Sequence, residues 1–106
     1  MRCDCIRIAA KSYAQVPLQT GTIAMELLKL AESGVRYGNR EVVADAGVSF
    51  LCAMAAARGA ALHVLVNLGH TDDEWAQSAR DRVEKWLPQL DAIERDIWPI
   101  LVAQLS

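Results

Sequence analysis

The chain has 106 residues, 53% hydrophobic and 23% charged, with six glycines and three prolines, so it makes one small folded domain and is not a disordered, collagen-like or linker segment. A net charge of −2 and an acidic last third exclude a nucleic-acid partner held by electrostatics. Charge is spread unevenly: residues 42–70 hold only Asp45 and Arg58, and so apolar a stretch must be covered by the rest of the chain or by a second copy.

Asp4 to Gln15 reads as a helix that stops before Pro17, because proline disfavours helical geometry in the residue ahead of it. Pro17 then opens a second helix, in which Gln19, Thr22, Glu26, Lys29 and Ser33 recur at steps of three and four, with Gly34 as its end. Residues 34–40 read as a loop, with Asn39 as a helix-entry residue and Asp45 as a second candidate cap. A long buried helix follows over about 45–68, bent or broken at Gly59 and closed by Gly69. Thr71 to Glu74 has the pattern of a capping box. The helix after it carries the stripe Trp75, Ala79, Val83, Trp86, Leu90, Ile93, Ile97, Leu101, kinked at 84–88 by Pro88 and continuing to about Val102. No segment alternates with period two over the length of a strand. The expectation is an all-α domain spanning 1–106, a small antiparallel bundle of four to five helices.

Three cysteines are too few for a disulfide framework, and the first residues lack the apolar run of a signal peptide, which points to a reduced, cytoplasmic setting. Val48 to Leu68 has bilayer length, but Arg58 near its centre and its many alanines argue for a buried helix and against a membrane span. Neither His63 nor His70 has a partner at metal-ligand spacing, so no metal or cofactor is expected. His63, on an apolar helix, reads as a core or interface histidine, and Cys52 as packing. Asp45 and Arg58 either cap a helix and reach solvent or border a polar pocket, which Asn67, one turn beyond His63, would join.

The run Gly38-Asn39, then Ala44-Asp45-Ala46-Gly47-Val48, then Ala55 through Leu62, and Val64 through Asn67-Leu68, resembles a signature of the cyclodeaminase domain of formiminotransferase-cyclodeaminase and of the related methenyltetrahydrofolate cyclohydrolases. The likeness extends over about residues 9–105. Ala44 stands where that pattern has serine, His63 where it has asparagine and Leu65 where it has arginine. The resemblance implies an all-helical homodimer acting on a tetrahydrofolate derivative, either closing the formimidoyl form with loss of ammonia or opening the methenyl ring with water. It implies Asp45 as the acid or base and Arg58, His63 and Asn67 as substrate contacts. Family domains are about twice this length, so the expected protein is a truncated, self-associating relative whose activity is reduced or absent. Two other readings stand beside it: a folate-dependent one-carbon enzyme with a site rebuilt between subunits, and a non-catalytic helical module that binds a protein or small molecule.

Overall fold

The computed structural model describes residues 2–69 and 72–106. It is all-α, as expected, but with three long helices instead of four or five: α1 (Arg2–Tyr37), α2 (Arg40–Leu68) and α3 (Glu74–Leu105). They pack side by side in a body of 60 × 19 × 15 Å. Gly34 meets Ala46 and Gly21 meets Ala60, so α1 and α2 form an antiparallel hairpin. Leu101 against Gly47 and Trp86 against Gly21 set α3 antiparallel to α2 and parallel to α1.

The helix count falls because Pro17 interrupts nothing. A proline inside a helix removes one N–H and leaves the carbonyl four residues earlier without its donor. Here that carbonyl belongs to Tyr13, and the Asn67 side chain on α2 donates to it through Nδ2 at 2.9 Å. A tertiary hydrogen bond therefore replaces the missing helical one, and α1 runs on. Asn67→Ala is expected to lower stability by about 0.5–1.5 kcal/mol. In a Pro17→Ala background, where the backbone N–H of residue 17 can reach Tyr13, the same change should be nearly neutral, and a double-mutant cycle on urea unfolding reads the coupling.

Gly34 is not a terminator either. A side chain there would come within 2.7 Å of the Ala46 Cβ, so its bareness serves close helix packing, and α1 ends only at Tyr37. The expected loop over 34–40 shrinks to Gly38 and Asn39. Asn39 is the cap of α2, its side chain accepting the Val42 N–H at 3.0 Å. Asp45 is thus a mid-helix residue and caps nothing. Gly59 does not break α2, because ladder bonding on both sides carries the helix through a residue that costs only about 1 kcal/mol relative to alanine. Gly69, at φ 53°, ends it. The cap of α3 is Asp73, which accepts the Ala76 N–H at 2.7 Å, so the helix starts two residues later than a cap at Thr71 would place it. Thr71 and His70 lie outside the described residues. Pro88 and Pro99 both sit inside α3, and the residues four before them, Glu84 and Arg95, are exposed, so water can serve the freed carbonyls and the helix reaches Leu105.

The core is drawn from all three helices. Leu28, Val35, Val43, Phe50, Val64, Leu68, Val83, Leu90 and Ile97 are fully buried. The α3 stripe faces inward as read, with Trp75 and Ile93 partly covered at its margin. The helix read as central and buried is covered on one face only. Val48, Leu51, Leu62 and Val66 on its other side are exposed, because α1 and α3, which also touch each other, cover α2 from one side only. By length and composition α2 is apolar enough to cross a bilayer.

Candidate functional site

A groove of about 660 Å³ lies between α1 and α2. Ile23, Leu27 and Leu30 form one wall, and Ser49, Cys52 and Ala56 line the other. The three α1 residues lie at steps of four and three, on one face of the helix. Each is at least half exposed. Cys52, read as packing, is an exposed thiol in this groove. The missed signal was a second apolar stripe on α1, running beside the one that makes the core.

Asp45, His63 and Asn67 share one side of α2. From Asp45, His63 is 18 residues and Asn67 22 residues further on, about five and six turns. Asp45 and His63 are exposed, about 27 Å apart along the axis, and neither has a hydrogen-bond or ion-pair partner among the described residues. Arg58 lies on a different side of the helix. Its Nη2 donates to Glu94 at 2.8 Å and to Asp91 at 3.0 Å, both on α3. Those bonds, the one to Glu94 foremost, raise the guanidinium pKa above its ordinary value despite partial desolvation. The charge is therefore committed to docking α3 on α2. As a half-exposed pair it contributes modestly to stability and leaves little free to grip a ligand. Asn67 is committed likewise, to the Tyr13 carbonyl.

One copy therefore does not gather the four residues into one pocket. It offers an apolar groove lined on α2 by Ala46 and Ser49, with the exposed Asp45 next to Ala46 in the chain and His63 some distance along the same helix. Among the described residues no cluster of three or more histidine, cysteine, aspartate or glutamate side chains is placed to hold a metal.

The family model of formiminotransferase-cyclodeaminase matches residues 1–85, which include α1, α2 and the first third of α3. The chain belongs to this family. It is also 33% identical over 102 residues to a methenyltetrahydrofolate cyclohydrolase of Methylorubrum extorquens, a match that takes in 95% of this chain and 49% of that protein. This cyclodeaminase-family chain thus spans about half the length of the curated relative it matches. No solved structure matches it. The matched region holds the whole α1–α2 hairpin, and with it the groove, Asp45 and His63.

Proposed function

We propose that the protein is a self-associating member of the cyclodeaminase family that binds a tetrahydrofolate derivative in a cleft assembled from two copies, with turnover below that of a cyclohydrolase. The observation that carries this reading is the apolar groove between α1 and α2. Ile23, Leu27 and Leu30 beside Cys52 and Ala56 make an apolar surface that a lone soluble chain of this size rarely leaves in water. A second copy covers it. The covered cleft would then be apolar enough for a flat pteridine, with Asp45 at its margin as the group able to exchange a proton with the one-carbon bridge. The chain's three cysteines, too few for a disulfide framework, are the basis for placing it in a reducing, cytoplasmic setting. The α3 stripe is turned into the core, which leaves a docking groove on that helix without support.

The activity is a cyclohydrolase-type opening of the methenyl ring, supported by the name of the matched relative. Saturating 5,10-methenyltetrahydrofolate, at about 100 times its Kd, is expected to stabilise the protein by about 2.7 kcal/mol and to raise its melting temperature. Asp45→Asn should keep the melting shift and lose the slow decay of methenyl absorbance. An unchanged melting temperature together with decay no faster than buffer would sink the folate reading.

A further inference from the structure

We propose that two copies pack α2 against α2, antiparallel about a two-fold axis near Met54, so that Asp45 of one copy meets His63 of the other, and that this contact forms twice in each pair. The inference rests on the self-association argued above and fixes its geometry.

Asp45 and His63 are 18 residues apart, and about five full turns bring them to the same side of α2. In an antiparallel two-fold pair, any contact between two different residues is repeated with the roles exchanged. An acidic group and an imidazole at equal distances on either side of Met54 are therefore self-complementary. Both are exposed and lack partners within the copy, among the described residues. Arg58 falls on another side of the helix and is held by α3, so no charge lies on the seam between them.

The seam itself suits a close neighbour. Cys52, Ala55, Ala56 and Gly59 are small and present little to hold a second helix away. A Cβ added at Gly59 would meet nothing within 4 Å, so nothing inside the copy requires glycine there. Glycine is the weaker helix former at such a position, and a helix from a second copy gives its bareness a use.

α1 supplies an independent check on the axis. Among its exposed apolar residues, Tyr13 with Tyr37 and Ile23 with Leu27 lie at equal distances on either side of Met25. The contacts of Gly34 with Ala46 and of Gly21 with Ala60 put Ala55 or Ala56 level with Met25. That is one or two residues from Met54, an offset of about 3 Å at most. One axis therefore serves both helices of the hairpin, and the pair becomes a four-helix layer. A 29-residue helix is about 44 Å long, and two of them side by side span about 20 Å, an area close to the roughly 800 Å² per partner of a standard stable interface.

The consequence for function is that the acid–base pair is shared. A carboxylate from one copy and an imidazole from the other come within hydrogen-bond reach, the combination that proton transfer uses, and neither copy holds it alone.

The test uses the full chain with its three cysteines replaced by serine, checked for helicity by circular dichroism. Asp45→Cys together with His63→Cys is expected to form a covalent pair under mild oxidation, and either change alone is not, because like residues lie far apart. In the native-cysteine chain, Asp45→Lys should weaken pairing about tenfold, and Asp45→Lys with His63→Glu should restore it. The charge exchange decides the question if the cysteine-free chain does not fold. Light scattering that shows pairs, with no cross-link specific to the double variant and no rescue by the exchange, would overturn this register and leave self-association standing. Single copies of the unaltered chain would remove both.

Discussion

Leu27→Glu is expected to separate the pair into single copies without unfolding them. Leu27 lines the α1–α2 groove and is half exposed in one copy, so within the fold a carboxylate there stays in water. In the pair the same carboxylate would be buried against apolar surface with no partner, which costs about 2–3 kcal/mol and weakens association about 100-fold. Circular dichroism should be unchanged while the mass in solution halves. Lys29→Glu, a charge change of the same sign on an exposed residue off this face, should leave the mass alone. If both variants stay paired, the groove is not the contact.

Phe50→Ala acts on the other side of α2. Phe50 is wholly buried, the largest of the fully buried side chains, on the face that α2 turns toward its neighbours. Truncation removes its burial and leaves a cavity, at a cost of about 3–5 kcal/mol. A domain of this size has about 5–15 kcal/mol in total, so the variant should unfold at much lower urea or fail to accumulate. Because pairing adds to apparent stability, the comparison has to be made at one protein concentration. A loss under about 1 kcal/mol would contradict the packing described for α2.

These two positions show why part of the architecture was legible in the residues and part was not. The α3 stripe was readable because its apolar residues keep one phase from Trp75 to Leu101 against a charged background, and the helix is buried along that line. Asn39 was readable because its side chain offers the cap that an orphan N–H needs. The helix boundaries at Pro17 and Gly34 were not. What overrides the local signal at each is a residue distant in the chain: Asn67 serving Tyr13 in the first case, Ala46 filling the space above Gly34 in the second. Leu27 was not singled out, for a related reason. α1 is apolar on two faces, and composition does not say which of them the chain itself covers.

The candidate site followed the same division. Asp45, Arg58, His63 and Asn67 were singled out as the few polar residues of an apolar stretch, and the fold assigns two of them elsewhere, Arg58 to Asp91 and Glu94, Asn67 to Tyr13. Spacing along one helix settles which residues share a side, but 13 residues separate Asp45 from Arg58, about 20 Å, and no single pocket spans that. Among the described residues Asp45 and His63 have no partner, and the proposed antiparallel pair would give each of them one.

The measurement that bears most directly on this account is the mass of the unmodified chain in solution, by light scattering or sedimentation equilibrium at tens of micromolar, a concentration at which an interface of ordinary affinity is occupied. The account predicts twice the 11.6 kDa of one chain, falling toward that value on dilution. A mass of 11.6 kDa at every concentration, with the helices intact, would contradict it.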